Sequence, residues 1–152
     1  MSIRYTPGQF RDALGLSKET FRYWKRDLPA LAAVASHSPC FGPADLLATA
    51  IVKSVCDTAG VPVSRVAPLA QNLFSLCKES PWPQLERKSI ALYFDSGRVQ
   101  ISGNGEGLSE DEPVFLMPLK PVIERLRARL LEADRQHQPS LAFPPISVGT
   151  SR

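Results

Sequence analysis

The chain has 152 residues, enough for one domain or two small ones, and its 43% hydrophobic and 22% charged residues are typical of a globular protein. A formal net charge of +3 excludes a protein that is polycationic throughout. No apolar run approaches the ~20 residues that a membrane span requires, and no signal-peptide segment is apparent, so we expect a cytoplasmic protein.

The first 26 residues predict two short helices joined by a tight turn. Thr6 followed by Pro7 is a favoured helix start, and apolar residues then recur at helical spacing. Gly15 is placed to end this helix in the left-handed conformation, and Ser17 can cap a second helix. Two helices around a short glycine turn predict a helix-turn-helix.

The second helix, expected over residues 17–27, has an apolar stripe and a cationic face. Phe21 and Trp24 are three residues apart and therefore share one side, which would anchor the helix. Residues 1–26 hold six cations against two carboxylates, and the cations are Arg4, Arg11, Lys18, Arg22, Lys25 and Arg26. Such a helix suits a phosphate backbone, and Arg22 could also read a guanine edge.

Several segments resemble the N-terminal winged helix-turn-helix of MerR-type transcription regulators. They are residues 5–10, 14–17 and 20–24, with later matches at 41–46 and 61–66, so the resemblance covers about half of the chain. It implies that a winged helix-turn-helix occupies residues 1–78. It also implies DNA contact by Arg22 and Tyr23, whose counterparts in the family touch DNA.

The segment where the family has its wing, residues 27–41, departs from the pattern because it contains no Lys or Arg. Phe41 keeps the aromatic residue of the wing, but Cys40 stands near the position where a basic residue is expected. If a wing forms, its tip at Ser36 and His37 could hydrogen-bond phosphate oxygens.

Two longer helices are predicted next. An apolar stripe at helical spacing runs from Pro43 to Ala59, and Gly60 ends that helix. Ser64 is expected to cap the following helix, with Pro68 in its first turn. These helices would support the DNA-reading helix.

After a proline-rich boundary at residues 80–83, the pattern changes to strand alternation. Strands are predicted over 90–94, 99–101 and 114–117, with an exposed loop between the last two, and a helix over 120–136. The fold class is therefore mainly α with a small β-sheet (α+β). We expect a three-stranded antiparallel sheet plus helix in residues 79–136, used for dimerisation, and a Pro/Ser-rich tail in residues 137–152.

The last helix contains a seam of about two heptads. The seam residues are Leu119, Ile123, Leu126, Leu130 and Ala133. We expect a homodimer through this seam, because helix-turn-helix proteins commonly bind two half-sites with two-fold symmetry. The alternative is that the apolar side only covers the chain's own sheet.

The cysteines and histidines of the sequence do not form the pattern of a metal site or a catalytic site. The cysteines, Cys40, Cys56 and Cys77, lack zinc-site spacing, and His37 with Cys40 has no second ligand pair. Two histidines cannot be combined with confidence into a catalytic triad. We expect no enzyme activity, no metal and no cofactor.

The sequence thus predicts a sequence-specific transcription regulator that binds double-stranded DNA and is associated with the nucleoid. The predicted DNA contacts are Lys18, Thr20, Arg22, Tyr23, Lys25, Arg26, Arg4, Arg11, Ser36 and His37. One alternative is a DNA-packaging or recombination accessory protein of a phage or mobile element. Another is a protein-binding module that recruits a partner through residues 31–35 or a sheet edge.

Overall fold

A computed structural model describes residues 3–34 and 40–137, which form seven helices and one three-stranded antiparallel sheet. The helices are α1 (Pro7–Leu14), α2 (Lys18–Asp27), α3 (Pro29–Val34), α4 (Pro43–Ala59), α5 (Val63–Glu79), α6 (Trp82–Leu85) and α7 (Lys120–His137). The strands are β1 (Ser89–Tyr93), β2 (Arg98–Ser102) and β3 (Phe115–Pro118). The α+β class expected from the sequence is confirmed. None of the helices in these ranges combines the length and apolar character needed to cross a bilayer.

The caps of α1 and α2 are those that the sequence predicts. Thr6 Oγ1 accepts a hydrogen bond from the Gln9 backbone N–H at 3.1 Å, and the Gln9 side chain accepts one from the Thr6 N–H at 2.9 Å. Gly15 ends α1 with φ +70°, a conformation that costs a residue with a Cβ about 1–2 kcal/mol. Ser17 Oγ then accepts from the Thr20 N–H and starts α2.

The segment expected to begin a wing is helical instead, since α3 occupies Pro29–Val34. Pro29 stands at the first helical position, and the alanines and leucine after it are good helix formers. Leu28 and Leu31 are fully buried, so the hydrophobic effect fixes this turn against α2 and α5. Residues 35–39, including the predicted tip at Ser36 and His37, lie outside the described residues.

The next two helices match the prediction in place but not in every detail. α4 begins and ends where expected, and Gly60 closes it at φ +69°. α5 begins at Val63 with Pro62 as its N-cap, so Ser64 is not the cap that we predicted. Pro68 consequently lies inside the helix, beyond the first turn, where its missing N–H removes one helical hydrogen bond.

β1 lies at the centre of the sheet, in the order β2-β1-β3. Ile90 pairs with Ile101 on β2 and with Met117 on β3, which fixes the register on both sides. The proline-rich boundary forms α6, a four-residue helix, where only a break was expected. Pro83 is compatible with that helix because it lies in the first turn, where its missing N–H has no partner to lose.

The central strand β1 is buried on both faces, while the loop before β3 is mostly exposed, as predicted. Ile90 and Leu92 belong to the main core, and Tyr93, which points the other way along the strand, is also fully buried. The loop folds back over it, because the Ser109 N–H donates to Tyr93 Oη at 2.9 Å. The Arg98 guanidinium lies 4.4 Å from the Tyr93 ring centroid and completes the cover.

One hydrophobic core includes residues from both predicted regions, 1–78 and 79–136. α7 packs on α1 and α4 and thereby joins the two predicted regions. Leu119, Ile123 and Leu126, three of the five predicted seam residues, are buried in this core. These three side chains therefore serve the chain's own packing and are not on a surface that a second copy could meet. Leu130 and Ala133 are half-buried.

Candidate nucleic-acid interface

An aromatic cluster of Phe10, Phe21 and Phe41 fixes α2 to the rest of the chain. The rings of Phe10 and Phe41 stack with centroids 4.1 Å apart and an interplanar angle of 22°, and the Phe21 centroid lies 5.7 Å and 5.9 Å from them. Tyr5 and Phe41 form an antiparallel backbone bridge, with the Tyr5 N–H donating to the Phe41 carbonyl at 2.7 Å. α1, α2 and this bridge are thus joined through one set of ring contacts.

α2 has the two faces that the sequence predicts. Phe21 and Trp24 are buried, while Lys18, Arg22 and Arg26 are exposed. Tyr23 is 50% exposed, so its ring and hydroxyl are accessible on the same side. Because the buried pair fixes the rotation of the helix about its axis, the cationic side faces solvent.

The exposed α2 side chains differ in how they are held. The Arg26 guanidinium lies 5.0 Å from the Tyr23 ring centroid and its Nε is 3.8 Å from Asp27, a weak, solvent-exposed pair. Lys25 Nζ lies 5.1 Å from the Phe21 ring centroid, so its stem covers the aromatic cluster. Lys18 and Arg22 have no side-chain hydrogen bond or ion pair within residues 3–34 and 40–137.

The remaining predicted contacts are less uniform. Thr20 is half-buried, and its Oγ1 accepts from the Ser17 hydroxyl at 2.9 Å, so it helps to cap the helix. Arg4 is exposed and donates a long hydrogen bond of 3.4 Å to the Cys40 carbonyl. Arg11, on α1, is half-buried. Ser36 and His37 cannot be located because they fall outside the described ranges.

Burial raises the pKa values of two groups within residues 1–78, Tyr5 and Cys77. Burial raises the pKa of the Tyr5 hydroxyl, and the Asp134 carboxylate raises it further. Burial, with a contribution from the Asp45 carboxylate, raises the pKa of the Cys77 thiol to about 12. Cys77 is therefore a neutral core residue at physiological pH. Over the described ranges, no three or more His, Cys, Asp and Glu residues come together as a metal site would need.

The sequence did not single out a second group of cations, Lys53, Arg125 and Arg129, which lines a cleft between α1, α4 and α7. The available signal was the i,i+4 spacing of the two arginines on α7, but Lys53 joins them only through the tertiary fold.

The exposed side of α2 offers charge-assisted donors and one aromatic ring on a rigid helix, an arrangement that can bind phosphate oxygens and base edges. Arg22 is the best placed for a bidentate contact, since all five of its N–H donors are unused by side-chain hydrogen bonds within the described chain. Comparison of the chain with protein-family models, with curated proteins and with solved structures finds no match.

Proposed function

We propose that this protein is a sequence-specific, DNA-binding transcription regulator in which α1 and α2 act as a helix-turn-helix. α2 is the recognition helix and enters the major groove. The observation that supports this most directly is the exposure of Arg22 and Tyr23 on the side of α2 opposite the buried Phe21 and Trp24.

Lys18, Lys25 and Arg26 bind phosphates in this proposal, and Arg22 reads a base edge. A flexible Lys ammonium suits a phosphate as a point charge, whereas the planar Arg fork matches two acceptors on a guanine. Arg22 has no competing intramolecular anion among the described residues, so no ion pair has to break before it contacts DNA.

The primary experiment measures binding to duplexes selected from a random library, by fluorescence anisotropy at several salt concentrations. If Lys18, Lys25 and Arg26 each neutralise one phosphate, the slope of log K against log salt is about −2.7. Affinity then falls on the order of 40-fold between 50 and 200 mM salt. No measurable affinity at low salt would overturn the proposal and favour a protein-binding module.

A footprint on the selected site separates a regulator from a DNA-packaging or recombination accessory protein. A regulator protects one palindromic operator, with half-sites about 10–10.5 bp apart or a multiple of that distance. An accessory protein protects a series of phased repeats.

Dimerisation is part of the proposal, but the surface differs from the one predicted from the sequence. Leu119, Ile123 and Leu126 are buried in the core, whereas Leu131 on α7 is 60% exposed. Sedimentation of the protein with and without its operator measures the stoichiometry. If the dimer forms through the exposed side of α7 around Leu131, Leu131→Lys lowers the sedimentation coefficient to that of a monomer.

A further inference from the structure

A cleft of about 290 Å³ lies between α1, α4 and α7, and none of its lining residues belongs to α2. Lys53 from α4 and Arg125 and Arg129 from α7 supply three cations to its wall. Asp57 is the only carboxylate among the lining residues, so the lining carries a formal charge of three minus one, or +2. Ser54 and Thr58 add two hydroxyl groups to the same wall.

The two arginines of this cleft are held in place by neutral groups. Arg125 Nη2 donates to Ser54 Oγ at 3.1 Å, and Arg129 Nη1 donates to the Asp12 main-chain carbonyl at 3.1 Å. Each hydrogen bond uses one of the five N–H donors of a guanidinium. The remaining donors and both positive charges are available to a ligand, whereas Lys53 is already paired with Asp57 at 2.8 Å.

The cationic cleft continues into an apolar one. A neighbouring cleft of about 240 Å³ shares Ser54, Thr58, Val122 and Arg125 with the first. Its other walls are apolar, from Phe115, Leu116, Met117, Pro118 and Pro121. Leu116 is 42% exposed. Arg125 therefore stands at the junction between a cationic end and an apolar end.

We propose that this continuous cleft binds a small organic anion, with its phosphate or carboxylate group at Arg125 and Arg129 and its apolar body against Leu116 and Pro121. Each part is smaller than the ~300–1,000 Å³ range of ligand pockets, so a compact ligand fits better than a large cofactor. Charge selects the anion, and the apolar walls select a ligand that carries a hydrocarbon group. The proposal does not depend on DNA binding.

The test uses isothermal titration calorimetry of the full chain with phenyl phosphate, inorganic phosphate and phenol. Phenyl phosphate is expected to bind at least ~10-fold more tightly than either of the other two, because only it satisfies both ends of the cleft. The double variant Arg125→Gln/Arg129→Gln should lose at least ~10-fold in affinity. The matched control is Arg65→Gln/Arg87→Gln, which removes the same charge from exposed positions outside the cleft and should bind like the parent protein.

Amide chemical-shift mapping on the unmodified protein gives a readout that does not depend on the folding of a variant. Phenyl phosphate is expected to shift the amide signals of Ser54, Thr58 and Leu116. Failure to bind at millimolar concentration, or affinity that the double variant retains, would overturn the proposal. Equal affinity for inorganic and phenyl phosphate would also overturn it, since the apolar end would then have no role. If phenyl phosphate does not bind but the double variant weakens DNA binding, the cleft is instead a DNA backbone contact.

Discussion

The ring of Phe10 on α1 stacks on the ring of Phe41, and their centroids are 4.1 Å apart. Phe41 lies two residues before α4, so this contact closes the N-terminal part of the chain onto the long central helix. Phe21 of α2 touches both rings. The orientation of the cationic side of α2 therefore depends on a contact between residues of two other segments.

Phe41→Ala is expected to destabilise the protein by about 3–5 kcal/mol, because it removes a fully buried ring and leaves a cavity among Phe10 and Phe21. Urea unfolding followed by circular dichroism measures the change. Ile3→Ala serves as the control, since Ile3 is 62% exposed and its truncation should stay within about 0.5 kcal/mol. A loss below ~1 kcal/mol for Phe41→Ala would contradict the anchoring role of the cluster.

Arg22→Ala is expected to weaken binding to the selected operator by about 1–3 kcal/mol and to reduce discrimination at one base position. Lys18→Ala should instead weaken binding to all sequences alike and reduce the salt slope by ~1, because a phosphate contact carries no sequence information. Anisotropy titrations on selected and scrambled duplexes measure both effects. Arg65→Ala, on the exposed side of α5, is the control and should leave both quantities unchanged.

Gly15→Ala and Gly60→Ala form a matched pair, since both glycines have φ near +70° at the end of a helix. Gly60 has open space around it, so its substitution costs only the left-handed backbone, about 1 kcal/mol. A Cβ at Gly15 would lie 3.2 Å from Arg129 Nη2, so the guanidinium would have to shift by a few tenths of an ångström, which strains its hydrogen bond to the Asp12 carbonyl. Gly15→Ala should therefore cost roughly 0.5–1 kcal/mol more, as measured by urea unfolding.

A double-mutant cycle identifies the source of that difference. In an Arg129→Ala background, Gly15→Ala should cost no more than Gly60→Ala. A difference that persists without Arg129 would show that the Asp12 contact is not its cause.

The buried Cys77 thiol is expected to make the folded protein less stable at alkaline pH. Its pKa is about 12 in the folded protein against an ordinary value of 9.0, so the unfolded chain ionises first. The stabilising effect of this shift is fully present below pH 9 and is lost as the pH rises towards 12, by about 1.4 kcal/mol per pH unit. Because Tyr5 and Cys56 also have raised pKa values, the measurement compares the pH slopes of the parent protein and Cys77→Ala. Equal slopes would contradict the assignment.

Tyr93→Phe is expected to cost about 1 kcal/mol, because the Ser109 N–H loses the acceptor that holds the loop over the sheet. Hydrogen exchange at the Ser109 amide should become faster, while the amides of β1 should stay protected. Tyr23→Phe is the control, since the Tyr23 hydroxyl makes no hydrogen bond within the described residues. Unchanged exchange at Ser109 would show that the loop is held by other contacts.

Local chemistry made both ends of α1, the start of α2 and the two faces of α2 predictable from the sequence. Thr6, Gly15 and Ser17 satisfy or end helical hydrogen bonds within four residues of themselves, so their roles need no distant partner. The same holds for the burial of Phe21 and Trp24, because helical spacing alone puts them on one side. β1 and β2 were found by their alternation and β3 by its apolar run, each to within one residue of its observed ends.

The tertiary structure alone decided which apolar surfaces meet. A heptad seam can pack against a second chain or against its own chain. Leu119, Ile123 and Leu126 are buried in the core, so these seam residues pack within their own chain. The cover over Tyr93 and the cleft at Lys53, Arg125 and Arg129 were also beyond the sequence, because they join residues that are far apart along the chain. The hydrophobic effect favours burial of apolar side chains but is non-directional, so it does not specify which surface covers them. Sequence periodicity therefore determined the longer helices, the strands and the charged side of α2, while packing determined what each element covers.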